Sequence, residues 1–179
     1  MIEQIEVSLQ NNENLTDDLK GDLFELILVF QKQFPDIRLK NLNERLKTLR
    51  IEKANRFVQP TVLKYLPQQN VLSINTVELM KDHDGKHLMM FALLQMITAN
   101  GVNTGFDVDH QFEALNNGYT ELLANHLVGN SSEHLYYANE FLYANIIGTI
   151  VGTEKMQEAY FYNKPTSIIK SLEEAGVNL

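Results

Sequence analysis

The chain contains no cysteine, which removes disulfides, thiolate metal sites and cysteine nucleophiles from consideration. It also lacks any apolar run approaching the ~20 residues needed to span a bilayer, so no membrane partner is expected. The opening Met1-Ile2-Glu3-Gln4-Ile5-Glu6 has no basic segment followed by an apolar one. A secretory signal is therefore not expected, and a cytoplasmic location is. Basic residues are scarce: 15 Lys and Arg against 23 Asp and Glu leave a formal charge of −8. Phosphate recognition needs clustered cations, so no nucleic-acid partner is expected. The one basic stretch, Lys40, Arg45, Lys47, Arg50 and Lys53, is interleaved with Glu44 and Glu52 and reads as a solvated helix face. Missing too are a glycine-rich phosphate loop, a G-x-S-x-G elbow and a dinucleotide-binding fingerprint.

What remains is a chain with 44% apolar and 21% charged residues, enough to bury a core and unlike a disordered segment. Its 179 residues fit one domain, 16–179, preceded by a small arm at 1–15. In that arm Ile2, Ile5, Val7 and Leu9 suggest an edge strand or a loose segment before the polar Asn11-Asn12-Glu13-Asn14. Thr16 has the character of an N-cap, with Asp17 and Asp18 in the first turn. Leu19, Leu23, Leu26, Phe30 and Phe34 then mark an amphipathic helix stopped by Pro35. A shorter helix carries Leu39, Leu42 and Leu46; strands are predicted at Leu49-Arg50-Ile51 and Val71-Leu72-Ser73-Ile74. A polar turn, Lys81-Asp82-His83-Asp84-Gly85, leads into the strongest apolar run, Leu88 to Ile97, which predicts a buried helix. Helices follow at about 113–128, 133–151, 153–162 and 165–175, with Ser132 and Thr153 as N-cap candidates. The order predicts an α+β fold, mostly helical, with a small sheet followed by a helical C-terminal block.

Two stretches carry a family resemblance. Leu115-Asn116-Asn117-Gly118-Tyr119-Thr120-Glu121 is similar to the N-E-G-x-T-E motif of small zincins of the gluzincin type. Phe91-Ala92-Leu93-Leu94-Gln95, followed by Met96-Ile97-Thr98, overlies their HExxH helix. In that family two His residues at i and i+4 share one helix face and bind zinc, the intervening Glu activates the metal-bound water, and a Glu of the second motif is the third ligand. In this register Phe91 stands for the first His, Ala92 for the catalytic Glu, Gln95 for the second His and Asn117 for the ligand Glu. Phenyl and methyl groups bind no zinc, and neutral amides are poor ligands for it. The resemblance thus implies a zincin-like, catalytically inactive domain (a pseudo-metallopeptidase) with no metal and no other cofactor. Its vestigial cleft is formed by Phe91, Ala92, Gln95, Asn117 and Glu121, and its role is to bind a protein or peptide, to regulate or to act as a scaffold. A buried Glu121 would need a hydrogen-bond partner such as Asn117, Gln95 or Tyr137.

Two alternatives compete with that reading. His83-Asp84-Gly85-Lys86-His87 has the spacing of an HDxxH motif, which in a helix would make His83 and His87 ligands and Asp84 a base in a divergent metal-dependent hydrolase. Against it, Gly85 would sit mid-helix and the segment is polar all round. The other alternative is a small structural protein that oligomerises through its helical tail. His110, with Asp107 and Asp109, reads as surface polar chemistry, and His126 and His134 have no partner at ligand spacing.

Overall fold

The computed structural model describes residues 1–54, 59, 61–78, 83–132 and 135–177. It is an α+β arrangement, mostly helical, with one small mixed sheet. In chain order the elements are α1 (Ile2–Gln10), α2 (Asp17–Gln33), α3 (Lys40–Leu46), β1 (Arg50–Lys53), β2 (Leu63–Leu66), β3 (Val71–Ile74) and α4 (Gly85–Thr98). There follow α5 (Glu113–Val128), α6 (Ala138–Val151), α7 (Thr153–Phe161) and α8 (Thr166–Glu174). Lys81, Asp82 and His134, named among the turn and histidine candidates above, lie outside the described residues.

The arm expected as an edge strand or a loose segment is instead the helix α1. Ile2, Ile5 and Leu9 recur at spacings of three and four, and that helical period overrides the shorter alternation that Val7 suggested. Val7 is 58% exposed, whereas Ile5 and Leu9 belong to the same buried cluster as α2 and α4. Ser8 Oγ donates to Asn43 Oδ1 at 2.8 Å, and the Asn12 amide donates to the carbonyls of Leu46 and Leu49. Residues 1–12 are thus tied to the helix α3 by buried polar contacts as well as apolar ones.

Thr16 caps α2, accepting from the Leu19 N–H as its sequence context predicts. The N-cap of α6 is Tyr137 rather than Ser132 and that of α7 is Gly152 rather than Thr153, neither with a side-chain cap bond. The sheet has the order β1-β3-β2, with β1 parallel and β2 antiparallel to β3. Strand β2, hidden in sequence between Pro60 and Pro67, is an edge strand that pairs Leu63 with Ile74 and Leu66 with Val71. At the centre lies α4, packed by α2, α3, α5, α7 and β2. Ten of its 14 residues are buried, so it is the buried helix its composition demands.

Candidate functional site

A cleft of about 700 Å³ opens between the edge strand β2, the outer side of α4 and the start of α5. Phe91, Gln95, Asn117 and Tyr137 line it together with Tyr65 and Asp107. Phe91 and Gln95 are one turn apart on α4, so they share a face, and Asn117 comes from the neighbouring α5. The Phe91 ring stacks on Tyr137, with centroids 5.6 Å apart and planes at 16°. Burial raises the Tyr137 hydroxyl to about 12, and the charges of Glu113, Glu121 and Glu140 push the same way.

The remaining two candidate residues are not in the cleft. Ala92 points into the core, 1% exposed. Glu121 is equally buried, and its partner is none of Asn117, Gln95 or Tyr137: it is His87, whose Nε2 lies 3.0 Å from Glu121 Oε1. His87 Nδ1 lies 2.8 Å from the Gly129 carbonyl oxygen. A carbonyl can only accept, so Nδ1 carries a proton, and the carboxylate provides an acceptor for a second one on Nε2. With Glu121 as a carboxylate, the pocket satisfies the doubly protonated ring. Burial alone pushes the His87 imidazole down, but the bonds to Glu121 and Gly129, with the charges of Glu121 and Asp84, outweigh it and hold it above the usual histidine value.

The His83-Asp84-Gly85-Lys86-His87 stretch does not form a two-histidine metal face. His83 precedes α4, its Nε2 on the Glu78 carbonyl and its Nδ1 on the Tyr136 hydroxyl, while His87 points inward to α5. Asp84 is the N-cap of α4, accepting from the His87 N–H at 3.0 Å, and its other oxygen takes the N–H and hydroxyl of Ser131. Burial works against the charged form of Asp84, but the N–H groups of His87, Ser131 and Lys86 and the Ser131 hydroxyl hold it at about 2. Gly85 is the first residue of the helix rather than its middle, which is why a glycine is tolerated there. Among the described residues, no three His, Cys, Asp or Glu side chains converge so as to hold a metal ion.

The second motif is used almost entirely for packing. Asn116 Oδ1 accepts from the Phe106 N–H, and its amide reaches Thr104, closing the 99–112 loop onto α5. A Cβ on Gly118 would lie 2.0 Å from the Glu140 carbonyl oxygen, so this glycine lets α5 and α6 touch backbone to backbone. Tyr119 packs on Phe106 and Tyr160, Thr120 bonds the Tyr160 hydroxyl, and Glu121 bonds His87. Asn117 is left facing the cleft.

Among the described residues, two buried side-chain oxygens have no hydrogen-bond partner, Gln95 Oε1 and Asp107 Oδ1, and both residues line the cleft. Burial raises the Asp107 carboxyl above the usual range, against the lowering effect of His110, whose Nδ1 lies 3.5 Å from Asp107 Oδ2. His126 is exposed. Three cations of the basic stretch are engaged locally: Arg45 with Tyr65 and the Pro67 carbonyl, Lys47 with Glu44, Arg50 with Glu52. Asp107, read from the sequence as surface polar chemistry, instead lines the cleft with a buried oxygen, and sequence reasoning missed β2 and the His87 partner of Glu121. The last had a signal, since a glutamate inside an apolar helix run needs a partner and His87 opens the facing helix. No family model, curated protein or solved structure matches the chain. Among the described residues no helix is long and apolar enough to cross a membrane.

Proposed function

We propose that the chain is a zincin-like domain without peptidase chemistry that holds an extended segment of a protein or peptide in the cleft beside β2. The observation that carries this reading is the pair of buried oxygens on Gln95 and Asp107 in a cleft bordered by an edge strand. An edge strand offers a row of backbone donors and acceptors to an added strand, and the flanking cleft selects its side chains. The Phe91–Tyr137 stack supplies an apolar wall, while Gln95, Asn117 and Asp107 supply acceptors for donors on the bound segment. In the register of the family resemblance, Phe91, Ala92, Gln95 and Asn117 replace three ligands and the general base, so the cleft retains recognition without a means of activating water.

The test is selection of binders from a library of unstructured peptides, followed by amide exchange on the complex. Selected peptides are expected to slow exchange at Leu63–Leu66 and to lose at least about tenfold in affinity with Asn117→Lys, which fills the cleft mouth. Binders indifferent to Asn117→Lys, or zinc-dependent cleavage of the peptides, would overturn the reading.

A further inference from the structure

The face of α6 that points away from α5, α7 and α8 is an apolar stripe. Leu142, Tyr143, Ile146 and Ile150 are 55%, 64%, 49% and 45% exposed, whereas Ala144 and Val151 on the opposite side are buried. At about 100° per residue these four side chains and Asn139 fall within roughly one third of the helix circumference. Glu140 is the only charged residue of α6, and the same geometry puts it on the inward flank with Ile147 and Val151. The other large exposed apolar residues are scattered over several elements, which is ordinary for a protein surface. A helix this rich in large apolar side chains is expected to bury most of them, and among the described residues α6 is covered on one side only.

We propose that a second copy of this chain covers it, α6 against α6 in antiparallel orientation about a twofold axis. Three observations select this occupant. A net charge of −8 opposes contact between two copies over most of their surface, and the α6 stripe is where they can touch without desolvating a charge. An uncharged stripe is its own complement, as a twofold interface requires. Asn139, Tyr143, Ile146 and Ile150 recur at spacings of four, three and four, the seam of a helix pair. Centred between Tyr143 and Ile146, the pairing sets Tyr143 of each copy beside Ile146 of the other. A bilayer surface fits less well, because helices lying in that interface carry Lys and Arg beside the apolar face, and α6 has neither.

The area sets the class of interface. The four side chains leave on the order of 400 Å² of apolar surface per copy. With Asn139 of the seam and a polar rim of Asn145 and Thr149, two copies bury about 1,200 Å², the lower end for specific interfaces. An interface of that size suits a reversible dimer rather than an obligate assembly.

Sedimentation velocity of the full chain across the micromolar range tests this. The mass is expected to rise from monomer to twice that value with concentration, and Ile146→Glu should weaken association about a hundredfold or more at unchanged circular dichroism. Because the chain has no cysteine, Ile146→Cys introduces a unique thiol. Under mild oxidation it should cross-link far faster than Val77→Cys, a position 45% exposed elsewhere on the surface. A monomeric mass throughout, with Ile146→Cys linking no faster than Val77→Cys, would overturn the proposal. So would association that survives Ile146→Glu, or a monomer that floats with neutral vesicles only while Ile146 is intact.

Discussion

The helices α4 and α6 have the same length, 14 residues, and both are rich in large apolar side chains with little amphipathic bias. Yet ten residues of α4 are buried and only two of α6. The difference lies in their neighbours. The first is enclosed by four helices and a strand, whereas the second rests on α5, α7 and α8 along one side. Hydrophobicity along a helix therefore states a demand for cover, and the tertiary arrangement decides whether the chain itself meets it.

The sharpest way to break the contrast is to attack the polar lock that seats α4 on α5. Glu121→Ala leaves a buried imidazolium without its carboxylate and is expected to cost ~3–5 kcal/mol in urea unfolding. A loss below 1 kcal/mol would show that the pair is not what holds these helices together. Next in size, Leu94→Ala in the middle of α4, fully buried, should cost ~2–5 kcal/mol through lost transfer energy and a cavity. Gly118→Ala forces α5 and α6 apart where a methyl group meets backbone atoms. Its overpacking cost is about 1–3 kcal/mol, larger than the ~1 kcal/mol gained in helix propensity, and a calorimetric scan should show the net loss.

A pH series sharpens the same comparison. The folded-state value of His87 is raised, so its contribution to stability is complete below the unfolded value of about 6.5 and fades as pH rises through the folded one. Stability should fall as pH rises past about 6.5, with a slope of at most about 1.4 kcal/mol per pH unit. His87→Gln should flatten that slope while lowering stability throughout. If the slope persists in the variant, another group is responsible. The smallest effect belongs to the exposed helix: Ile146→Ala, measured at low concentration, should change stability by no more than about 0.5 kcal/mol. A larger loss would mean that α6 is covered within the chain after all.

Much of the architecture is legible in the residues. Thr16 with Asp17 and Asp18 starts α2 and Pro35 follows its end, because capping and the missing proline N–H are local effects. The run from Leu88 to Ile97 had to be buried, and the α+β order follows from two short β-branched stretches among helical periods. Where two local patterns compete, as at Ile2–Leu9, the three-and-four spacing was already the better guide, since only it puts Ile5 and Leu9 on one side.

The cleft was half legible. The pattern Phe91, Gln95, Asn117 depends on helical spacing plus the order of two motifs, and those three side chains line one cleft. Glu121 and Ala92 do not, because which side of a helix faces a groove depends on what packs behind it. By itself the sequence determined the start and end of α2, the burial of the strongly apolar α4 and the absence of cysteine chemistry, all of which are properties of composition or of a few neighbouring residues. Only the tertiary structure decided that His87 pairs with Glu121 across 34 positions, that β2 becomes an edge, and that one side of α6 stays bare. Those outcomes depend on the mutual placement of distant elements, which no local period or cap encodes.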